Sequence, residues 1–224
     1  MPVNEVIYQS IIQELQPQNV TLVAVSKTKP IADIQTLYNL GQRDFGENYV
    51  QEFVEKVPQL PSDINWHFIG HLQSNKVKYI APFVHLIHGV DSFKLLKEIN
   101  KQAAKNNRVI NCLLQVHIAQ EETKFGFDEA ELDKIFHELP EKLHQLSNLK
   151  IIGLMGMASF SDDLEKVTSE FKNLKRLYDK YATLSTANYQ LSTLSMGMSG
   201  DYKLAIAVGS NMVRIGSLLF GARG

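Results

Sequence analysis

At 224 residues, with 44% hydrophobic and 21% charged side chains, the chain can bury one sizeable core, and a single domain over 1–224 is the expectation. Its 23 basic and 24 acidic residues leave a formal charge of -1, which provides no electrostatic footprint for a nucleic-acid backbone or an anionic membrane. Any phosphate recognition must therefore be local. The apolar spacing of Ile7, Ile11, Ile12 and Leu15 predicts an opening helix over 6–15. The β-branched run Thr21-Leu22-Val23-Ala24-Val25, closed by Pro30, then reads as a buried strand ending in the turn Ser26-Lys27-Thr28-Lys29-Pro30. Lys27 thus stands at the C-terminal edge of a sheet, where α/β folds build their sites. It is either a solvated charge or a partly desolvated amine able to act as a Schiff-base nucleophile.

A helix over 31–40 should stop at Gly41, a residue suited to a left-handed cap. Extended segments then recur, each followed by helix or loop, at 44–46, 66–69, 84–88, 109–118, 151–157, 190–195 and 212–215, which with the first makes eight. That alternation predicts a (β/α)8 barrel closed by right-handed crossovers, with a doubly wound open sheet as runner-up. The open sheet lacks its usual mark, because no G-x-G-x-x-G turn follows the first strand.

Cys112 is the sole cysteine, so no intrachain disulfide can form; in an apolar strand it reads as a buried, inert thiol, and the chain as one for a reducing compartment. The N-terminus has no basic segment followed by an apolar one and no stretch is long enough to span a bilayer, which makes the cytoplasm the expected location. His67 and His71 raise the thought of a metal, but their spacing crosses a strand end and no cysteine partners them, so none is expected. Glu47 and Glu52 are either acids of a helix's first turn or members of a site.

Candidate chemistry gathers at the far end of the chain. The last strand runs into Arg214-Ile215-Gly216-Ser217, and barrels commonly bind phosphate on the loops after strands seven and eight. Gly216 lets an anion approach the backbone and Ser217 adds a hydroxyl. Arg214 at a buried strand end is either half of a structural ion pair or part of a site. The turn Ser195-Met196-Gly197-Met198-Ser199-Gly200-Asp201 can offer a nest of donors, and a helix over 202–208 follows it.

Five ordered blocks, Ala24 to Pro30, Phe45 to Glu52, His67 to Lys76, Leu194 to Ser199 and Val213 to Gly216, closely resemble the motifs of the YggS/PROSC family of pyridoxal phosphate homeostasis proteins. That family is similar to the N-terminal barrel of alanine racemase and carries pyridoxal 5'-phosphate on a lysine. The resemblance implies that Lys27 forms the Schiff base, that Arg214 faces the pyridine nitrogen, and that Ser199, Gly216 and Ser217 cradle the phosphate. It further implies Asn48 beside the ring, Ser195 and Met196 flanking it, and Lys29 as the neighbouring lysine that leaves the aldehyde alone. Gly200 departs from relatives that carry an acidic or polar residue there, which leaves the hydrogen bonding of that loop open.

Arginine keeps its proton near neutral pH, so a ring nitrogen facing Arg214 stays unprotonated and the ring is a weaker electron sink. A racemase also needs a second acid/base, supplied in alanine racemase by a further C-terminal domain and a partner subunit, and this sequence stops at Gly224 soon after the eighth strand. The expectation is a monomeric carrier that buffers the cofactor or delivers it to dependent apo-enzymes, with no catalytic residue. The alternative is a fold-type III racemase or lyase acting on a small amino acid, with Tyr49 or Tyr202 as the second base.

Overall fold

Buried side chains of the first strand, β1 (Thr21–Val25), divide between two cores. Leu22 and Ala24 join a large cluster that also holds the helix residues Leu37, Phe53 and Leu177, whereas Val23 joins a small one with Leu86, Leu113, Met155 and Met212. Successive strand side chains point to opposite faces of a sheet, so the large cluster fills the space between strands and helices and the small one the space the strands enclose.

The computed structural model describes residues 3–119, 125–138, 145–184 and 189–221, and in it eight parallel strands close into a barrel in chain order. After β1 come β2 (Asp44–Glu47), β3 (Asn65–Phe68), β4 (Leu86–Val90), β5 (Ile110–Val116), β6 (Leu149–Gly156), β7 (Tyr189–Ser195) and β8 (Met212–Ile215). β8 returns to pair with β1, placing Val23 opposite Arg214. The described helices are α1 (Glu5–Leu15), α2 (Ile31–Asn39), α3 (Val50–Lys56), α4 (Val77–Ile80), α5 (Phe93–Lys105), α6 (Glu129–Asp133), α7 (Leu164–Ala182), α8 (Tyr202–Val208) and α9 (Ser217–Phe220). None is long and apolar enough to cross a membrane.

The expected barrel is therefore the observed one, and the first and last strands have the bounds expected for them. α2 ends as its sequence implies: Gly41 has φ 102, its N–H donates to the Tyr38 carbonyl, and the Gln42 N–H donates to Leu37. β4 is displaced from its expectation. It begins at Leu86 and runs through Gly89 to Val90, and at Gly89 a Cβ would stand 2.6 Å from the Gly70 carbonyl, an approach that glycine alone permits.

Gly153 marks a second such approach. It pairs with Thr193 across β6 and β7 beside a register shift, and a Cβ there would lie within bonding distance of the Thr193 carbonyl oxygen. Gly153→Ala must push two barrel strands apart, and a loss of about 3 kcal/mol or more in urea unfolding is expected. A loss below about 1 kcal/mol would show that the strands yield easily.

Candidate functional site at the barrel mouth

Beyond β1 the chain stays extended for one more residue, the Ser26 N–H donating to the Gly46 carbonyl of β2 at 3.0 Å. Ser26 turns outward and is fully buried, donating its hydroxyl to Glu47 Oε1 at 2.6 Å. Alternation then carries Lys27 over the face that bears Val23. Lys27 and Thr28 form the centre of a turn closed by the Lys29 N–H on the Ser26 carbonyl at 3.0 Å, and Thr28 has φ 62, as the second central residue of a type II turn requires. Lys29 departs from this face. Its ammonium donates to the Phe220 and Gly221 carbonyls at 2.9 and 3.4 Å, at the end of α9.

Behind the turn lies a buried ionic cluster that sequence reasoning did not assemble. Lys56 of α3 donates to the Ser26 carbonyl at 2.8 Å, to Glu47 Oε1 at 2.8 Å and to Glu52 Oε1 at 2.6 Å. Glu52 Oε1 also accepts the Thr28 N–H at 2.5 Å. Both peptide groups flanking Lys27 are thereby tied to charged side chains. Burial pushes the Glu47 carboxyl above the usual carboxylate range against the opposing pull of Lys56 and Ser26. Of the two roles open to the acids, Glu52 takes the first turn of α3 and clamps the Lys27 turn as well, while Glu47 ends β2. The legible signal was the i,i+4 spacing of Glu52 and Lys56.

Across the β1–β8 seam, Arg214 is buried and held by neutral oxygens. Nη1 donates to Ser195 Oγ at 2.6 Å and to the Ser195 carbonyl at 3.0 Å, and Nη2 donates to the Gly156 carbonyl at 3.1 Å. Burial lowers its pKa to about 10, with Asp201 acting in the opposite sense, so it remains a cation at neutral pH. Ser195 Oγ lies 3.3 Å from His88 Nδ1, His88 Nε2 2.9 Å from His67 Nδ1, and His67 Nε2 2.9 Å from Asp44 Oδ1.

Burial, then His67, Arg214 and His85 in turn, depress the His88 pKa well below its ordinary value. A histidine depressed in the fold binds fewer protons there than in the unfolded chain, so its contribution is complete above about pH 6.5 and is lost as pH falls toward the folded value. Urea midpoints measured from pH 7.5 down to 5 should therefore drop more steeply for the native chain than for His88→Gln. Parallel curves would count against a buried neutral His88.

The loops after β7 and β8 meet. The Gly216 N–H donates to Ser199 Oγ at 3.2 Å, and the Arg214 N–H donates to the Gly197 carbonyl at 3.0 Å. Asp201 folds the first loop on itself by accepting the Met198 N–H at 2.6 Å. A Cβ on Gly200 would meet nothing within 4 Å, so a side chain at this position would fit without a clash. Ser217, exposed, opens α9. Met196 does not join this group: its side chain is fully buried in the outer core, and its backbone N–H and carbonyl are both engaged by Ser210 Oγ. On the opposite side of β1, Asn48 follows β2, and its buried side-chain oxygen has no hydrogen-bond partner.

The two tyrosines considered as bases lie elsewhere. Tyr202 donates its hydroxyl to Glu14 of α1 at 3.1 Å, and Tyr49 is exposed on the wall of a 540 Å³ cleft with His71, Lys76 and Tyr79. His71 pairs with Asp91 at 3.1 Å and stacks on Phe125, whereas His67 faces the barrel interior, so the two histidines do not converge. Cys112 is fully buried, and burial drives its thiol pKa far up.

Lys27, Asn48, Ser195, Ser199, Arg214, Gly216 and Ser217 thus stand at the C-terminal end of one barrel. An amine in a clamped turn, an inward guanidinium, an unsatisfied buried amide oxygen and two joined loops with hydroxyls suit a flat, polar, phosphorylated aldehyde. The donor set fits pyridoxal 5'-phosphate.

Residues 8–224 match the family described as the alanine racemase N-terminal domain. An alanine racemase from Streptomyces coelicolor superposes with a TM-score of 0.74 at 12% identity, over 97% of this chain and 57% of its own, a likeness of fold alone. Within that class of barrels the similarity narrows. The pyridoxal phosphate homeostasis protein of Aquifex aeolicus is 43% identical over 203 residues, covering 90% of this chain and 86% of its own length. That of Synechocystis is 42% identical over 222 residues, covering 97% of each. The structure of PipY from Synechococcus elongatus with PLP bound has a TM-score of 0.85 at 36% identity, over 96% of this chain and 98% of its own. The chain belongs to the pyridoxal phosphate homeostasis protein family.

Proposed function

We propose that this protein binds pyridoxal 5'-phosphate covalently and reversibly at the barrel mouth, buffering it and delivering it to dependent apo-enzymes in the cytoplasm as a monomer. The observation that carries the reading is the β1–β8 pairing, which brings the Lys27 turn beside the strand that holds Arg214. Bound there, the cofactor supplies an aldehyde for a primary amine and an aromatic ring that can accept electrons.

Lys27 provides the amine, and the Lys56–Glu52–Glu47 clamp holds its backbone in place. Arg214 would face the ring nitrogen and, as arginine keeps its proton, would leave the ring a poor electron sink, which favours holding over turnover. Asn48 provides a polar edge beside the ring. Ser199 and Ser217 would supply donors to the phosphate, while Gly216, whose N–H joins the two loops by donating to Ser199, would let the anion approach the backbone.

Purified protein mixed with pyridoxal phosphate should develop a visible band, and mass spectrometry after borohydride reduction should place the added mass on the peptide containing Lys27. A preparation that stays colourless, or an added mass elsewhere, overturns the reading.

A further inference from the structure

The polar line inside the barrel has one direction, and donor chemistry determines it. Asp44 is a carboxylate and can only accept, so His67 presents Nε2–H to it at 2.9 Å, and with that ring neutral its Nδ1 is an acceptor. His88 must then present Nε2–H to His67 Nδ1 at 2.9 Å, which leaves its own Nδ1 to accept the Ser195 hydroxyl at 3.3 Å. With its proton committed, Ser195 Oγ turns lone pairs toward Arg214 and receives Nη1–H at 2.6 Å. Both histidines are satisfied as neutral rings. The line starts at the N-terminal rim, where the Asp44 side chain is 25% exposed, passes through His67 at 1% and ends beside Arg214 at the mouth.

We propose that Asp44, His67 and His88 form a hydrogen-bond relay through the barrel interior that positions Arg214 and couples the charge at the barrel floor to the cofactor site. They are positioning residues, acting through Ser195. The proposal rests on the cofactor reading above and deepens it. The charged and titratable groups facing the relay are Asp44 from β2, His85 at the foot of β4 with its ring tilted against His67 at 5.6 Å, Arg108 near His85, and Arg214 from β8. Among these Asp44 is the anion, and burial first, with the Arg214 charge beside it, favours a neutral His88. Few-bond chains of this kind polarise one another in a low-dielectric interior, so a change at one end is felt at the other.

Two measurements test it. In cofactor-free protein, nitrogen-resolved NMR of the histidines at pH 7 should show His67 and His88 as neutral Nε2–H tautomers; a charged His88, or the Nδ1–H form of either ring, overturns the relay whether or not the chain binds the cofactor. In loaded protein, the pH midpoint of the visible band should fall in Asp44→Asn by about half a unit, roughly threefold in the ionisation constant, because removing an anion disfavours a protonated site. His88→Phe, which cuts the line, should shift the midpoint likewise, while His88→Gln, which keeps one donor and one acceptor, should restore it. An unchanged midpoint in Asp44→Asn, the conservative change at the rim, sinks the proposal even if His88→Phe fails to fold. A wild-type protein that takes up no pyridoxal phosphate sinks the cofactor reading, and the coupling proposed here with it, whereas the tautomers still report on the relay's geometry.

Discussion

Lys27→Ala is expected to abolish the borohydride-reducible linkage to pyridoxal phosphate, an all-or-none loss read by mass spectrometry. The reason lies in the turn. Lys27 occupies its first central position and follows the strand face that carries Val23, whereas Lys29 is two residues on and drawn to the carbonyls of Phe220 and Gly221. A lysine bound to the end of α9 cannot replace the missing amine without releasing those contacts. Because Arg214, Asn48 and the two joined loops are untouched, the variant should keep its fold and a weakened, non-covalent affinity for the cofactor. A linkage that survives and maps to Lys29 would overturn the assignment of Lys27 while leaving the location of the site intact.

Lys56→Met should destabilise the protein by about 3–5 kcal/mol, because it strands two carboxylates whose partner it removes, one of them fully buried. Glu47→Gln, isosteric and neutral, should cost about 1.5 kcal/mol or less, since the amide oxygen can still accept from Ser26 and Lys56 keeps Glu52. The ordering of the two matters more than either figure. Urea unfolding of both variants reads it directly, and a Lys56→Met cost below that of Glu47→Gln would show that the cluster is not an ion-paired unit. The same substitution removes the bond to the Ser26 carbonyl, so its cofactor uptake should slow or weaken even below the unfolding transition.

Those two sites were legible to different degrees. Lys27 stood out because a β-branched strand ending in a lysine-rich turn is a local pattern, visible within ten residues. Arg214, Ser199 and Gly216 stood out for the same reason at the far end of the chain. Lys56 did not, since a lysine seven residues into a short helix looks solvated, and its burial depends on α3 folding back against the ends of β1 and β2. Met196 is the converse case. It sits between two residues of the phosphate-side turn, yet strand alternation at the end of β7 turns its side chain into the outer core.

His67 is the plainest case of a residue whose meaning its neighbours in sequence could not supply. Its neighbour His71 raised the thought of a metal that their spacing across a strand end argued against, and one residue ends inside the barrel and the other on its rim. Its true partners, Asp44 and His88, are 23 and 21 residues away on either side.

By itself the sequence determined the alternation of eight strands with helices, the identity of the first and last strands, and the lysine and arginine at their ends, because periodicity and turn chemistry act over a few residues. Only the tertiary structure decided which side chains face inward and which buried charges share a partner, and so whether histidines from β3 and β4 meet a serine from β7. Closing the barrel brings residues distant in the chain within hydrogen-bond reach of one another, and a linear pattern holds no record of which of them point to the same side.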